Sequence, residues 1–313
     1  MLRFLPLSQS DPSEVPQQRE KAAQLARALG IAPRIARLLI ARGVADAAEA
    51  EAFLHPSADM LCDPFAFQDM GKAVARIARA IQERERICIY GDYDVDGVCA
   101  TSILLLYLRS CGAEVSYHIP SRHAEGYGMN LGAVERLAEE GVKLILTVDN
   151  GVKANAELAR CRELGMDAIV TDHHLPGDAL PECEAILCHT VPGCAYPNHH
   201  ICGAGTAFKL VEALGGRAAA LPYVAFAGLA TVADVVPLMG ENRVFAALAL
   251  AAVNRGECPL GLSALVEAAF EKKRALTARD FAFAIAPRLN AAGRMADASL
   301  GVAPLTETDA GRA

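Results

Sequence analysis

The first part of the chain carries apolar residues at helical spacing. Residues 17–30 and 32–43 place alanine, leucine and isoleucine three and four positions apart, and each stretch ends in a glycine, a common helix terminator. Residues 46–56 repeat the pattern and stop at Pro56. The spacing predicts a helical N-terminal extension over residues 1–70.

From residue 71 short apolar runs alternate with amphipathic stretches. The runs that predict strands are residues 86–92, 114–120, 143–151, 167–174 and 184–190. The stretches with a helical period are residues 71–85, 97–112, 130–141 and 154–165. Buried strands that alternate with helices are typical of a doubly wound, mostly parallel α/β sheet, which we place at residues 71–240.

The rest of the chain returns to helical spacing. Residues 203–216, 221–236 and 243–254 are rich in alanine and leucine, so we expect helices beside the sheet and a helical continuation over residues 241–313. The final stretch has no obvious last element. We therefore expect further chain beyond it.

Composition points to a globular protein with an aliphatic core. Of the 313 residues, 53% are hydrophobic but only 5% are aromatic, and tryptophan is absent. No apolar stretch approaches the ~20 residues of a membrane span, and the first residues do not resemble a signal peptide. We expect a cytoplasmic protein without a membrane partner. The ten cysteines are scattered, which favours reduced thiols over disulfides.

The net charge of −7 argues against a uniformly basic surface for duplex DNA, although it permits a local positive channel. Acidic and imidazole side chains follow three of the predicted strands, at the edge of the sheet where ligands collect. They are Asp92, Asp94 and Asp96 after the first strand, Asp149 after the third, and Asp172, His173 and His174 after the fourth.

This set of side chains predicts a metal centre. Carboxylate oxygens with one or two imidazoles suit Mn²⁺ or Mg²⁺, whereas thiolates would suggest zinc or iron–sulfur. In an extended stretch, alternate residues such as Asp94 and Asp96 face the same side. Two cations about 4 Å apart would account for so many acidic ligands. Taken singly, Asp92 or Asp149 would be a helix cap, and the His pair would be packing.

The motifs resemble those of a known superfamily. "DYDVDG", "VDNG", "TDHH" and "GLATVADVVPL" are similar, in this order, to the four motifs of the DHH phosphoesterases. Three further stretches, "DPFAFQDMGKAVARI", "CGAGTAFKL" and "APRLNAAGRM", resemble those of the RecJ family, the single-strand-specific DNA exonucleases within it. The resemblance runs from about residue 30 to residue 303.

The resemblance implies an activity and its setting. It implies a metal-dependent phosphodiester hydrolase that digests single-stranded DNA from 5′ to 3′ in DNA repair and recombination, with water activated by two Mn²⁺ or Mg²⁺ ions. It also implies a monomer with a single-strand-binding protein and a helicase as partners. It implies as well that the chain is the N-terminal catalytic core of a longer enzyme, and that the absence of the second domain would weaken the activity.

The resemblance also assigns metal ligands and catalytic residues. It implies that Asp92 and Asp94 hold one ion, that Asp96, His173 and Asp234 hold the second, and that Asp149 bridges them. His174 would contact the scissile phosphate or its leaving group and would act in catalysis with Asp94, Asp96, Asp149 and His173. Only the resemblance singles out Asp234, because a lone Asp in "TVADVV" otherwise indicates a cap or a paired core charge.

Substrate contacts are implied at several further positions. Arg288, Asn290 and Arg294 resemble residues that clamp backbone phosphates, which guanidinium groups match in geometry, although a solvated helix end would look the same.

Two loops extend this set. Gly203 and Gly205 could offer backbone N–H groups to a phosphate, or could form a tight turn. Arg122, with His123 and Tyr127, could line the path of the strand or belong to an ordinary polar loop.

Some stretches depart from the superfamily pattern. Tyr90 stands where many members have a histidine. Members of the exonuclease branch generally lack that histidine and have an aspartate at the position of Asp92. The stretch "AILCHTVPGC" is looser than expected. The Cys- and His-rich residues 183–202 lack a clean Cys-x-x-Cys pair, which argues against a zinc site.

Two alternatives stay open. One is a phosphoesterase for a small substrate, such as a short oligoribonucleotide, a cyclic dinucleotide or pyrophosphate. The other is a catalytically silent replication scaffold, against which the intact acidic motifs argue.

Overall fold

We describe the protein from a computed structural model over residues 15–121, 126, 128–270, 272, 274–292 and 298–309. Four residues of the predicted substrate path, Arg122, His123, Tyr127 and Arg294, lie outside these residues. The chain divides into two compact units between Met60 and Leu61. The finer division at residues 70 and 240 stays a prediction.

The first unit contains the three expected helices, α1 (Val15–Leu29), α2 (Pro33–Ala41) and α3 (Ala47–Leu54). A proline begins α2, where its missing N–H costs nothing. Asp46 caps α3 and accepts a 2.9 Å hydrogen bond from the backbone N–H of Glu49. The helix α1 packs against both of the others.

The second unit is built on a sheet whose described strands number five and all pair in parallel. They are β1 (Arg86–Tyr90), β2 (Val115–His118), β3 (Val142–Val148), β4 (Asp167–Thr171) and β5 (Ala185–Leu187). Their order across the sheet is β2-β1-β3-β4-β5. The predicted doubly wound parallel α/β fold is confirmed.

Helices surround this sheet and extend beyond it. Those connected with the strands are α4 (Met70–Glu83), α5 (Val95–Ser110), α6 (Leu131–Glu139) and α7 (Asn155–Glu163). The later ones are α8 (Gly203–Gly215), α9 (Arg217–Ala220), α10 (Val224–Ala233), α11 (Gly240–Arg255), α12 (Leu260–Ala269), α13 (Ala278–Asp280), α14 (Ala286–Ala292) and α15 (Val302–Leu305). A π-helical turn, Phe281–Ile285, joins α13 to α14.

The two faces of the sheet are both buried. Cys88 and Tyr90 of β1 pack on the side of α6 and α7, together with Ile145 and Val170. The opposite side carries α5, α8 and α10, which pack against one another. Burial on both faces explains why the strands are continuous apolar runs in the sequence.

Tyr90 belongs to the core on the α6 side. Its ring is fully buried, and its hydroxyl accepts a 3.1 Å hydrogen bond from Nδ2 of Asn130. A histidine at this position of the strand would therefore face α6.

The strand order reverses between β1 and β3, which are neighbours in the sheet. The connection after β1 leads outward to β2, and the chain then returns to β3 on the other side. At such a point the loops at the carboxyl ends of the strands separate and leave a crevice for a ligand. None of the described helices is long and apolar enough to cross a membrane.

Candidate metal centre

The loop between β1 and α5 supplies the first three carboxylates. Oδ1 of Asp94 caps α5 and accepts hydrogen bonds from the backbone N–H groups of Asp96 at 2.9 Å and Gly97 at 3.1 Å. The helix begins at Val95, so Asp96 already lies in its first turn. This corrects the expectation that Asp94 and Asp96 alternate along an extended stretch: they belong to different groups of potential ligands.

Asp96 is held at the beginning of α8. Its Oδ2 accepts a 2.6 Å hydrogen bond from the N–H of Gly203, and its Oδ1 accepts one of 2.7 Å from the N–H of Ala204. The positive end of the helix dipole thus faces a carboxylate that is only 2% exposed.

These contacts correct the predicted phosphate-binding role of Gly203, whereas that of Gly205 stays a prediction. The Gly203 N–H donates to Asp96, so it is not available to a phosphate. A Cβ on Gly205 would lie 2.6 Å from Cγ1 of Ile201, within the packed interior. Both glycines lie in the first turn of α8 and allow close packing there.

Asp149 ends β3 in a strained conformation. Its φ is +60°, a left-handed value that is uncommon outside glycine. The N–H of Asp149 donates a 3.0 Å hydrogen bond to the carbonyl of Thr171, and Nδ2 of Asn150 donates to the carbonyl of Tyr90 at 3.1 Å. These bonds tie the end of β3 to both neighbouring strands and fix the buried carboxylate at the crevice.

Asp172, which follows β4, positions the imidazole of His174. Its Oδ1 lies 2.7 Å from Nδ1 of His174 and accepts hydrogen bonds from the N–H groups of His173 and His174. Its Oδ2 accepts a 2.9 Å bond from the N–H of Val152. The hydrogen bond that Nδ1 of His174 donates to Asp172 raises the pKa of His174, which favours the protonated imidazole.

Asp234 reaches the cluster from the end of α10. It forms the C-cap of that helix, and its Oδ2 lies 3.9 Å from Nδ1 of His173. Asp234 lies 61 residues beyond His173 in the chain, which explains why the pattern of the sequence alone could not select it.

Three groups of potential ligand atoms meet at this edge, and within each group all atoms lie within 4.8 Å of one another. The groups are Asp92, Asp94 and Asp149; Asp96, His173 and Asp234; and Asp149, His173 and His174. Because Asp149 and His173 each belong to two groups, the side chains form one connected cluster, called here the ligand cluster.

Crowding and burial make the carboxylates of the ligand cluster unfavourable as bare anions. Burial, and next the carboxylate of Asp94, raises the pKa of Asp92 to about 7. Burial, and next Asp96, raises the pKa of Asp234 to about 6 and holds the pKa of Asp149 well above its usual range. A cation would stabilise the charged forms that burial opposes.

Buried atoms without partners fit such a cation. Oδ1 of Asp92 and Oδ1 of Asp149 are buried, and no described residue donates a hydrogen bond to either. Nε2 of His173 lies 3.0 Å from Oδ1 of Asp149 without hydrogen-bond alignment. Both atoms can therefore direct a lone pair at a common ion. Oxygen ligands with imidazole nitrogen suit Mn²⁺ or Mg²⁺.

A sequence profile described as "DHH family, N-terminal domain" matches residues 86–233, from β1 to the end of α10. This stretch of the chain is a DHH-family domain. The resemblance drawn from the motifs is thereby confirmed. The matched residues of this DHH chain contain every member of the ligand cluster except Asp234.

Relatives with the same domain are exonucleases by name. The DHH chain is 42% identical over 293 residues to the single-stranded-DNA-specific exonuclease RecJ of Bacillus subtilis, and 38% identical over 296 residues to that of Escherichia coli. The alignments cover 93% and 90% of this chain, but 37% and 51% of those relatives. The chain thus spans about half or less of the length of these curated relatives.

Solved structures are similar as well. An exonuclease RecJ bound to manganese matches with a TM-score of 0.71 and 36% identity, over 79% of this chain and 63% of that one. RecJ of Thermus thermophilus in complex with Mn²⁺ matches with a TM-score of 0.78 and 32% identity, over 94% of this chain and 42% of that one.

The predicted phosphate clamp is described in part. Arg288 and Asn290 lie on α14, which packs against α5 and α10, the two helices whose ends carry Asp96 and Asp234. Arg288 is exposed and donates a 2.7 Å hydrogen bond to the carbonyl of Ala284. Their contact with phosphate stays a prediction.

The sequence analysis missed the role of Asp172. This residue stood among the candidates, but only the structure shows that both of its oxygens are used to hold the backbone and His174. The cysteines of residues 183–202 join none of the ligand groups found among the described residues. All ten cysteines are free thiols, as expected.

Proposed function

We propose that this chain is the catalytic part of a metal-dependent exonuclease that hydrolyses phosphodiester bonds of single-stranded DNA from 5′ to 3′. One observation carries the proposal: three overlapping groups of carboxylates and imidazoles meet at the carboxyl edge of the sheet. The names of its relatives indicate the substrate class.

The ligand cluster divides between two cations. Asp92, Asp94 and Asp149 would hold one ion, and Asp96, His173 and Asp234 would hold the other, with Asp149 between them. Divalent cations supply a hydroxide-like nucleophile near neutral pH and neutralise charge on the phosphate. The protein's part is to fix these side chains before the substrate arrives. Asp94 caps α5, Asp96 accepts a hydrogen bond from the beginning of α8, and the N–H of Asp149 donates a hydrogen bond to the end of β4.

His174 is the residue that we assign to the scissile phosphate or its leaving oxygen. Its side chain is 43% exposed, so a substrate can reach it, and Asp172 fixes its orientation through Nδ1. The raised pKa of His174 favours an imidazolium, which attracts phosphate oxygens and can donate a proton to the departing oxygen. A cleft of about 280 Å³ opens beside it, lined in part by Asn150, Val152 and Lys153.

The same proposal covers the setting of the activity. We assign it to DNA repair and recombination in the cytoplasm, by a monomer that works beside a single-strand-binding protein and a helicase. Arg122, Gly205, Arg288, Asn290 and Arg294 remain the proposed phosphate contacts outside the ligand cluster.

The experiment uses end-labelled single-stranded DNA, duplex DNA and pyrophosphate, each with Mn²⁺ or with EDTA. We expect mononucleotides from the 5′ end of single strands only, and only with Mn²⁺. Asp149→Ala should lower the rate at least ~10³-fold, because it removes a ligand of both ions. Asp178→Ala, an exposed residue of the following loop, is the control and should leave the rate unchanged.

Two results would contradict the proposal. Phosphate release from pyrophosphate alone would indicate a small-substrate phosphoesterase. Binding of Mn²⁺ without hydrolysis of any of these substrates would favour a silent scaffold.

A further inference from the structure

Val235 adopts a backbone conformation that its side chain disfavours. Its φ is +59°, in the left-handed region. For a β-branched residue this is a genuine outlier, because Cβ crowds the following carbonyl. Such strain persists where the surrounding structure demands it, and it concentrates at ligand clamps.

The fold explains why the chain turns at this position, but it does not explain why the residue there is a valine. The helix α10 ends at Ala233 and is capped by Asp234, whose Oδ2 lies 3.9 Å from Nδ1 of His173. The left-handed residue after this cap turns the chain. A glycine would make this turn without strain. The valine side chain is 85% exposed, so burial against the described residues does not compensate for its cost.

Leu175 is a second exposed apolar side chain beside the ligand cluster. It follows His174 directly and is 72% exposed. Consecutive Cα atoms lie about 3.8 Å apart, so Leu175 and Val235 each border a residue of the ligand cluster. Single exposed apolar residues are common on protein surfaces. These two differ in that both adjoin the ligand cluster and one of them keeps a strained backbone there.

We propose that Val235 and Leu175 contact the bases of an unpaired nucleic acid strand as it enters the ligand cluster. The inference rests on the proposed function, because that function brings the strand to this place. In a duplex, pairing and stacking cover the base faces, whereas a single strand exposes them to apolar side chains. Contacts of this kind favour single strands over duplexes without reading sequence.

The test separates base contact from positioning of Asp234 and His174. Val235→Asn and Leu175→Asn keep a residue of moderate size but make it polar, and asparagine tolerates a left-handed backbone. Each variant is assayed with Mn²⁺ on two oligonucleotides: one carries all its bases, and the other lacks the bases of its terminal nucleotides. A side chain whose role is to contact bases should affect only the hydrolysis of the first oligonucleotide.

We expect the KM for the base-bearing oligonucleotide to rise about five- to tenfold in each variant, the effect of losing one buried apolar contact. The KM for the abasic oligonucleotide and both kcat values should stay the same. Val235→Gly should lose the same base preference while unfolding at a higher urea concentration than the parent, because it removes the strain.

Two matched controls should leave both substrates unaffected. Leu180→Asn replaces a 41% exposed leucine of the same loop as Leu175. Arg84→Gly relieves a left-handed residue with φ of +56° at the end of α4, outside the ligand cluster.

An equal loss on both oligonucleotides would overturn the inference, since it would show that the side chains only position the ligands. An unchanged KM for both would overturn it as well. Failure of the proposed function is seen separately, as no hydrolysis by the parent protein. In that case the base preference is measured by binding of phosphorothioate oligonucleotides, and unchanged preference in Val235→Asn would overturn the inference.

Discussion

The backbone N–H of Gly203 donates a 2.6 Å hydrogen bond to Oδ2 of Asp96, from the first residue of α8 to the first turn of α5. Gly203 also lies against a second member of the ligand cluster. A Cβ at this position would lie 2.8 Å from Cβ of Asp149, closer than real Cβ contacts. The residue therefore has to be glycine for Asp96 and Asp149 to approach each other.

We predict that Gly203→Ala weakens Mn²⁺ binding by about one to two orders of magnitude, because overpacking of about 1–3 kcal/mol must move Asp149 or the start of α8. Isothermal titration calorimetry measures the affinity. Gly132→Ala in α6 is the control, since its Cβ would meet Oδ1 of Asn130 at 3.6 Å, an ordinary contact. Equal affinities in the parent and Gly203→Ala would show that the site tolerates the methyl group.

Asp172→Asn should lower the pKa of His174 and reduce the rate of hydrolysis about 10- to 100-fold, the usual effect of losing a side chain that orients a catalytic histidine. The pKa falls because the hydrogen bond that His174 donates to the carboxylate, which favours the imidazolium, is replaced by one to a neutral amide. NMR titration of His174 measures the pKa. Asp178→Asn should change neither quantity, and an unshifted pKa in Asp172→Asn would contradict the positioning role.

The stabilisation by Mn²⁺ should grow as the pH rises from 5 to 7.5. In the metal-free fold the pKa values of Asp234 and Asp92 are raised to about 6 and about 7, above their unfolded value of 3.8. The folded state therefore holds extra protons, and this contribution to metal-free stability is present at low pH and lost as the pH rises through 6 and 7. Metal binding displaces the same protons and becomes stronger over that range.

The measurement is urea unfolding with Mn²⁺ and with EDTA at each pH. The difference between the two free energies of unfolding removes the contribution of His189, whose pKa burial lowers to about 4 and which acts in the opposite direction. A difference that shrinks between pH 5 and 7.5 would contradict the raised carboxylate pKa values.

Lys209→Met should destabilise the fold by about 3–5 kcal/mol, because it removes the cation paired with the buried carboxylate of Glu241 and leaves that of Glu212 with Arg217 alone. Nζ of Lys209 is fully buried and lies 2.7 Å from Oε2 of Glu212 and 2.8 Å from Oε1 of Glu241. Denaturant unfolding measures the loss. Lys72→Met, which removes an ion pair between an exposed lysine and the half-buried Asp69, is the control and should have little effect. Equal stability of Lys209→Met and the parent would contradict the prediction.

The arrangement of the sheet and the place of the site could be read from the order of residues. Apolar runs that alternate with amphipathic helices specify a parallel sheet, since a strand buried on both faces has no polar side. Parallel strands end at one edge, so Asp92, Asp149 and His173 had to come near one another. For these residues, the strand pattern in the sequence and the tertiary structure lead to the same edge of the sheet.

Contacts between distant segments were decided only by the packing of helices. Asp234 reaches His173 because α10 ends at the sheet edge, and Gly203 reaches Asp96 because α8 begins there. The helical first turn that separates Asp94 from Asp96 follows from the cap that Asp94 itself provides. The sequence determined which side chains gather at the edge, because strand periodicity is local. Tertiary structure decided which of them touch, because that depends on where helices far apart in the chain end.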